Sequence, residues 1–330
     1  AGYMEEAIAW QNWLIRAIAG SPEQIQTLYG VGGERRLDEW TISWLPGYEG
    51  SSPVRIGNAA ALQLQIDIYG ELTDVTTQAR KGGITIPPPR TEMRRVSLGH
   101  LEQVWREPDE GIWEIRGEPQ HFVYSKAMAW VAFDRAGNNG GDNKKHLAHW
   151  RRVAQTIRRE ILRKGVDPER HCFVQAYGSK QLDASLLLLP IVGFVSAADP
   201  LMKNTIREIE KNLMFDGLVL RYGTDSGVDG LPAGEGAFLA CSFWLVDNYL
   251  LQGRKRDAER LFAHLVGLVN DVGLLAEEYD PRGRRMLGNF PQAFSHVALV
   301  NAGLNLLHAE ARPNRRGAPH RRRHVARHKE

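Results

Sequence analysis

Two kinds of helical segment alternate along this chain. In the first kind, apolar residues recur at steps of three and four among charged residues, as in the run from Leu147 through Trp150 and Val153 to Ile161. This spacing predicts a helix with one buried stripe and one solvated face. Segments of the second kind are apolar on every side and therefore require burial on every side. They cover residues 122–133, 184–194, 237–251 and 294–307.

The alternation is typical of a barrel made of two concentric rings, in which each outer helix is followed by an inner one. Residues 3–19 and 91–106 fit outer helices and residues 57–78 fit an inner helix, which gives five outer/inner pairs. Strand-like alternation is brief, as in Gly83–Ile86. We therefore predict an all-α fold, an α/α barrel. A superhelical repeat array would alternate in the same way, but no repeated signature of fixed length is visible.

The long links between helices fall at regular places. Each leads from an outer helix into an inner one, so all of them should emerge at the same end of the barrel. Loops this long in a compact domain are usually functional or disordered, and these carry Trp, Tyr, Arg, Asp and Glu. We expect them to build one pocket. They are residues 20–56, 107–121, 165–183, 214–235 and 271–290.

Charge and composition narrow the class of protein. The net charge is +3, but residues 311–330 contribute +7, so the rest of the chain is −4, which argues against nucleic acid as a partner of the fold. Residues 309–330 are predicted to be a basic, disordered tail, with a nucleic-acid or membrane-surface role as the less favoured alternative.

Other features of the sequence bear on where the protein works. No apolar run approaches the roughly 18 residues of a membrane span, and no signal-peptide pattern begins the chain, so we expect no membrane partner and a cytoplasmic location. The two cysteines, Cys172 and Cys241, show no metal-binding spacing and are expected to be buried thiols.

Three glutamates in the predicted pocket loops are candidates for acid–base chemistry. Glu114 lies between Trp113 and Ile115, and apolar neighbours disfavour the charged form of a carboxyl group, which suits a general acid. Glu277 and Glu278 lie in another of the loops. Either site alone is weak evidence for catalysis, since such glutamates are common on protein surfaces. Their predicted position at one barrel end favours glycoside hydrolysis, which needs two carboxyl groups beside a partly aromatic cleft.

The wider text of the loops resembles glycoside hydrolase family 15, which holds glucoamylases, glucodextranases and bacterial trehalases. The resemblance runs from residue 1 to about residue 308 and is closest to the bacterial trehalase-like branch. It implies an (α/α)6 barrel, of which this chain would supply about five of the six helix pairs. It also implies an inverting, exo-acting α-glucosidase that needs no cofactor and no metal. The segments that carry it are residues 30–56, GIWEIRG at 111–117, residues 175–194, residues 217–244 and residues 273–301.

The resemblance assigns roles to several residues. Glu114 follows Trp113 and matches the general acid, Glu277 in Ala-Glu-Glu matches the base that activates water, and Glu278 is then a neighbour. Arg221 and Tyr222 match a pair that grips the glucose in the catalytic subsite, although an arginine there could also cap a loop. Glu235 matches a polar position near the pocket, but a glutamate before an inner helix also suits the helix dipole.

Further side chains are candidate substrate contacts, each with a structural alternative. Arg55 and Asn58 would bind sugar hydroxyls, although Asn58 is equally a helix N-cap. His296 is either a ligand contact or a core histidine, and Lys126 is either a sugar contact or an ion-pair partner of a catalytic carboxylate. Aromatic residues in the loops would stack on sugar rings or form loop core. They are Trp40, Trp44, Trp113, Tyr177 and Tyr279.

The family also has an Arg-Asp pair in its first inner helix, and no such segment precedes Ala1. We therefore expect a missing N-terminal segment of the same polypeptide to be a partner of this chain. The expected substrate is a small α-glucoside such as trehalose, or the end of an α-glucan. The alternatives are a sugar-binding α/α toroid without catalysis, an inactive fragment of such an enzyme, and, more remotely, another toroid enzyme such as a terpene cyclase or polysaccharide lyase.

Overall fold

In a computed structural model of the protein, the structure describes residues 3–86, 88–138, 142–223 and 236–311. Outer and inner helices alternate through these ranges, which confirms the predicted all-α barrel architecture with five pairs. The outer helices are α1 (Met4–Ala17), α3 (Pro88–Val104), α5 (Lys144–Lys164), α7 (Pro200–Asn212) and α9 (Lys255–Val266). The inner helices are α2 (Asp67–Lys81), α4 (Val123–Asn138), α6 (Leu188–Ile191), α8 (Leu239–Leu251) and α10 (Ala293–Ala311).

Short antiparallel strands lie in the links from outer to inner helices, where long loops were predicted. Three hairpins and one three-stranded sheet, in the order β7-β8-β9, stiffen these loops. Gly83–Ile86, which alternates like a strand, forms none. The strands are β1 (Trp40–Ile42), β2 (Val54–Ile56), β3 (Val166–Asp167), β4 (Cys172–Phe173), β5 (Met214–Phe215), β6 (Leu218–Val219), β7 (Ala237–Phe238), β8 (Glu278–Asp280) and β9 (Arg285–Leu287).

Two inner helices differ from their predicted bounds. The segment predicted as helix from residue 57 begins with a short 3₁₀ helix, Ala59–Leu62, and α2 starts only at Asp67. Asn58 caps the 3₁₀ helix, because its side-chain oxygen accepts a hydrogen bond from Ala60 N at 2.9 Å. The segment predicted as 184–194 is a 3₁₀ turn followed by the four-residue α6.

Helices α4 and α8 are buried nearly all round, as their apolar sequences predict. Helix α4 packs between α2 and α5, and α8 packs between α9 and α10. Aromatic side chains join neighbouring pairs edge to face, with Trp130 and Phe194 at 5.2 Å between ring centroids. The apolar core therefore follows the inner ring.

Helix α10 departs from the rule that an all-apolar segment is buried on every side. Ala298, Ala302 and Leu306 face the core, whereas Phe294 is 67% exposed and Leu307 is 61% exposed. Helix α10 packs against α8 and α9, and within the described ranges no extensive contact joins it to α1 or α2. One side of α10 is therefore an apolar surface that no described element covers.

The predicted division of the chain at residue 308 stays a prediction. Helix α10 continues to Ala311, which is inside the predicted tail, and residues 312–330 lie outside the described residues.

The close approach of α2 to α4 depends on a glycine. A Cβ atom added to Gly70 would lie 2.4 Å from Met128 O on α4, a contact that only a backbone shift could relieve. Gly99 on α3 is the matched control, because a Cβ atom there would meet nothing within 4 Å. We expect Gly70→Ala to lower the free energy of unfolding by about 1–3 kcal/mol through overpacking. Gly99→Ala should raise it by roughly 0.5–1 kcal/mol through helix propensity.

Urea unfolding followed by circular dichroism measures both variants under the same conditions. A Gly70→Ala protein as stable as the parent would show that α2 and α4 do not approach each other this closely.

Candidate active site

Glu114 sits on a tight turn in the link before α4. Its φ angle is 53°, in the left-handed region that non-glycine residues rarely occupy, and its N–H bonds Gly111 O at 3.2 Å. Asn58 Nδ2 donates to Glu114 Oε2 at 3.0 Å, while the other end of the same amide caps the 3₁₀ helix. A strained backbone held by its surroundings is common at functional sites. Asn58 therefore acts as an N-cap and also contacts Glu114, and its expected contact with a sugar hydroxyl stays a prediction.

Trp113, the preceding residue, is the centre of an aromatic cluster. Its ring lies 5.6 Å from Phe238 and 6.0 Å from Trp244, measured between centroids, and the guanidinium of Arg221 lies 5.6 Å from its centroid. Its indole Nε1–H donates to both carboxylate oxygens of Asp183, at 2.9 and 3.0 Å. The Trp113 side chain is thus held by contacts to Asp183 and Arg221 on two other links and to Trp244 on α8.

Asp183 is a buried carboxylate that the sequence analysis did not select. Besides Trp113 it accepts hydrogen bonds from Ser185 N at 2.7 Å and Gln175 Nε2 at 2.9 Å. Burial raises the pKa of Asp183 above its ordinary value, and the hydrogen bonds from Ser185, Gln175 and Trp113 act in the opposite direction. An aspartate before an apolar segment signals an N-cap, but nothing local indicates a partner 70 residues away.

Glu277 lies in an extended segment whose backbone is hydrogen-bonded on both sides. Its N–H donates to Asn289 O at 2.9 Å, and its carbonyl accepts from Leu239 N, at the start of α8, at 3.1 Å. Its carboxylate Oε2 accepts from Asn289 N at 3.0 Å. Gly288, with a φ of 72°, makes room for this carboxylate, because a Cβ atom there would lie 2.7 Å from Oε2. Both the backbone and the carboxylate of Glu277 are therefore placed by the 288–289 turn.

The two glutamates belong to one end of the barrel. Phe238, in edge contact with Trp113, pairs with Glu278 in the β7-β8 ladder and is followed by the Leu239 amide that bonds Glu277. Arg221 approaches Glu278 Oε1 at 3.5 Å while lying over the Trp113 ring. Glu278 Oε2 also accepts from Gly236 N at 3.1 Å. A continuous set of contacts thus connects the residues adjoining Glu114 to those adjoining Glu277.

Of the two residues expected to grip glucose, only Arg221 retains partial exposure. Tyr222 is 2% exposed and packs edge-on to Trp113 at 6.3 Å, so it supports the indole from below. Tyr279 is half-buried on β8, opposite Ala237 and Met286. Glu235 lies outside the described residues.

Lys126 and Tyr177 are held by partners of their own. The Lys126 side chain is 0% exposed and its ammonium donates to Glu107 O, so it is closed to a ligand. Burial lowers the pKa of Lys126 to about 8, against the attraction of the nearby Asp109 carboxylate, whose own pKa burial raises to about 6. Tyr177 stacks on His121 and lies under Lys164 at the end of α5. Both residues therefore have structural partners, and their expected sugar contacts stay predictions.

The link 20–56 carries the candidates Arg55, Trp40 and Trp44. Arg55 Nε lies 3.6 Å from Glu39 Oε1, and Arg116, which follows Glu114 by two residues, bonds the same carboxylate at 3.0 Å. Trp40 is largely exposed and Trp44 is 79% exposed. Glu39 therefore ties this loop to the one that carries Glu114, and Trp44 leaves an aromatic face open to solvent.

His296, on the first turn of α10, has both ring nitrogens engaged. Its Nδ1 lies 2.7 Å from Gln292 O and its Nε2 accepts from Leu275 N at 3.2 Å, which fixes the tautomer with the proton on Nδ1. These bonds place the ring beneath the Glu277 segment as a support for its backbone.

Metal ligands and membrane spans are both lacking in the part of the chain that the structure describes. No group of three or more His, Cys, Asp or Glu side chains in it could hold a metal ion. Its helices are also too short or too polar to cross a membrane.

The fold is an α/α barrel, and comparison with known proteins gives the family. The sequence pattern of "Glycosyl hydrolases family 15" matches residues 1–304, so the chain belongs to that family.

Trehalases are among its relatives. A trehalase of Mycobacterium tuberculosis is 44% identical over 288 residues, covering 87% of this chain and 42% of that protein. A trehalase of Thermoplasma volcanium is 39% identical over 308 residues, covering 92% of this chain and 49% of that protein. The chain thus spans about half the length of the curated relatives it matches.

Solved structures show the same fold. A wild-type glycosidase superposes with a TM-score of 0.62 at 22% identity, over 81% of this chain and 73% of that one. A glucoamylase from Saccharomycopsis fibuligera superposes with a TM-score of 0.57 at 10% identity, over 74% of this chain and 70% of that one. At these identities the likeness supports the barrel architecture alone.

The bond between Trp113 and Asp183 can be tested without an activity assay. We expect Trp113→Phe and Asp183→Asn each to destabilise the fold, because each removes part of a buried, charge-assisted hydrogen bond worth about 1.5–3 kcal/mol. Because both changes act on one bond, their effects on the free energy of unfolding should not add. A double-mutant cycle by urea unfolding should give a coupling of at least about 0.5 kcal/mol. Additive effects would show that the indole is not anchored by Asp183.

Proposed function

We propose that this chain is the catalytic region of an inverting, exo-acting α-glucosidase in which Glu114 is the general acid and Glu277 the general base. The observation that carries the proposal is the contact path through Trp113, Phe238 and Leu239, which connects the segments of the two glutamates. Inverting hydrolysis needs one carboxyl group to protonate the leaving oxygen and a second, farther away, to activate water.

The surroundings of each glutamate suit its proposed role. Asn58 donates to Glu114 Oε2, which leaves the other carboxyl oxygen as the place for the proton that the leaving group receives. Asn289 N donates to Glu277 Oε2, which holds the carboxylate in one orientation. Arg221 would bind sugar hydroxyls from its place over Trp113, with Tyr222 as support. Among the other candidates, the exposed Trp44 supplies a stacking face, and Arg55, Tyr279 and Glu235 keep their expected polar or aromatic roles as proposals.

α,α-Trehalose is the substrate that we favour. The relatives that cover most of this chain at 31–44% identity are trehalases, whereas the likeness to a glucoamylase is one of fold. Action on the end of an α-glucan is the second candidate. Assaying the full-length protein on trehalose, maltose, starch and dextran separates the two, with glucose release from trehalose as the expected result.

The stereochemistry of cleavage gives a sharper test of the mechanism. Water attack with inversion at one anomeric carbon of α,α-trehalose yields β-glucose, while the other glucose leaves as the α anomer. Proton NMR at early times should therefore show the two anomers in equal amounts before mutarotation. Release of α-glucose alone would indicate retention and would overturn the role of Glu277 as a base toward water.

Substitution distinguishes the base from its neighbour. We expect Glu277→Gln to lower kcat about 10²- to 10⁴-fold, because general acid–base groups typically contribute that much. Glu278→Gln is the matched control and should cost far less, because the Glu278 carboxylate is engaged with Arg221 and Gly236 N. Steady-state kinetics on trehalose with the full-length protein measures both. A greater loss of kcat in Glu278→Gln than in Glu277→Gln would show that the base is Glu278 and that our assignment is wrong.

We also propose that an N-terminal segment of a longer polypeptide covers the apolar side of α10 and completes the sixth helix pair. The exposed Phe294 and Leu307, with Leu62 at 90% exposure, support this proposal, as does the length of the relatives. Light scattering on the 330-residue chain and on a form extended upstream by the native residues of its gene tests it. Association should be confined to the shorter form.

A cytoplasmic location is likewise a proposal. The state of the thiols supports it, because Cys172 and Cys241 are both free and buried in the structure.

A further inference from the structure

We propose that the first turn of α10 positions the base, with Ser295 and His296 acting as positioning residues for Glu277. The inference rests on the proposed function for the role of Glu277, but its geometric basis is independent of it. It rests on hydrogen bonds from α10, the turn before it and the first residue of α8 to the three residues that end at Glu277.

The Leu275–Glu277 segment has its backbone groups fixed one after another. Leu275 N donates to His296 Nε2 at 3.2 Å, and Leu275 O accepts from Gln292 N at 3.0 Å. Ala276 O accepts from Ser295 Oγ at 2.7 Å. At Glu277 itself, the amide and the carbonyl are bonded by Asn289 and Leu239. Side chains of α10 therefore replace the neighbouring strand that this extended segment would otherwise need.

Burial makes these bonds specific. Leu275, Ala276 and Ser295 are all fully buried, so water cannot take the place of the Ser295 hydroxyl without a rearrangement. His296 can accept from Leu275 N only because its proton is on Nδ1, where Gln292 O receives it at 2.7 Å. The bond from Nδ1 to Gln292 O thus holds the ring in one orientation, and Nε2 accepts from Leu275 N in the Glu277 segment.

Positioning of this kind affects the reaction more than the binding of the substrate. Glu277 must hold a water against the anomeric carbon, and displacement of a catalytic group by about 1 Å can cost on the order of 10²-fold in rate. Glucose binding would rest mainly on Arg221 and the aromatic faces, which lie outside residues 275–277. Loss of the α10 bonds should therefore lower kcat and leave KM nearly unchanged.

The experiment compares four variants of the full-length protein with the parent. Ser295→Ala and His296→Phe remove one bond each, and His296→Gln keeps an acceptor that can reach Leu275 N. Thr205→Val is the matched control. It removes an equally buried hydroxyl on α7, which accepts a hydrogen bond from Phe173 N at 2.9 Å and has no contact with the Glu277 segment among the bonds described above. Kinetics on trehalose is combined with amide hydrogen exchange of a peptide covering residues 274–278.

We expect Ser295→Ala and His296→Phe to lower kcat roughly 10- to 100-fold with KM changed less than about threefold. Amide exchange should become faster in residues 274–278 and stay unchanged in the inner helices α2, α4 and α8. His296→Gln should recover most of the rate, and Thr205→Val should keep it.

Outcomes for this inference and for the proposed function are distinguishable. If Ser295→Ala and His296→Phe match Thr205→Val in both rate and local exchange, the positioning role is wrong even when Glu277→Gln is inactive. If Glu277→Gln keeps full activity, the proposed function fails. Local exchange in residues 274–278 then decides alone whether α10 fixes the segment.

Discussion

The buried hydrogen bond between the Trp113 indole and the Asp183 carboxylate is the interaction on which the candidate site depends. It joins the link before α4 to the link before α6, which are also held together by backbone hydrogen bonds from Val123 N to Gln175 O and from Tyr177 N to His121 O. Around this bond pack Tyr222, Phe238 and Trp244, and Arg221 covers the exposed side. A carboxylate buried at this depth is costly unless its oxygens are fully bonded, and Asp183 has donors on both. The geometry of the Glu114 turn follows from that requirement.

The two glutamates are held by different means. Glu114 stands on a strained turn, with its carboxylate bonded by a side chain from another link, so its position depends on tertiary contacts to Asn58 and Trp113. Glu277 is held mainly through its backbone, by the first residue of α8 and the 288–289 turn, and α10 bonds the two residues before it. Helix α10 therefore supports the site with its first turn while one of its sides exposes apolar residues to solvent. Whatever stabilises α10 also stabilises the position of Glu277.

The sequence predicted the features that repeat and missed those that depend on distant partners. The contrast between one-sided and all-round apolar segments is a local pattern, and it predicted five pairs and the end at which the loops emerge. Motif resemblance selected Trp113, Glu114, Arg221 and Glu277, which the structure brings to that end. Asp183 and Ser295 were missed because their partners lie 70 and 19 residues away, beyond any local signal. Lys126 was selected as the one charge in an apolar helix, yet burial and Glu107 O account for it.

The separation of the two carboxyl groups tests the central claim most directly. An inverting enzyme leaves room for a water between base and sugar, so the carboxyl groups stand about 6.5–9.5 Å apart, whereas about 5–5.5 Å leads to retention. A crystal structure of the full-length protein with glucose bound measures this gap. Our account predicts the wider gap, with a water on Glu277 and with Glu114 directed at the O1 position. A gap near 5 Å, or glucose bound away from both glutamates, would contradict it.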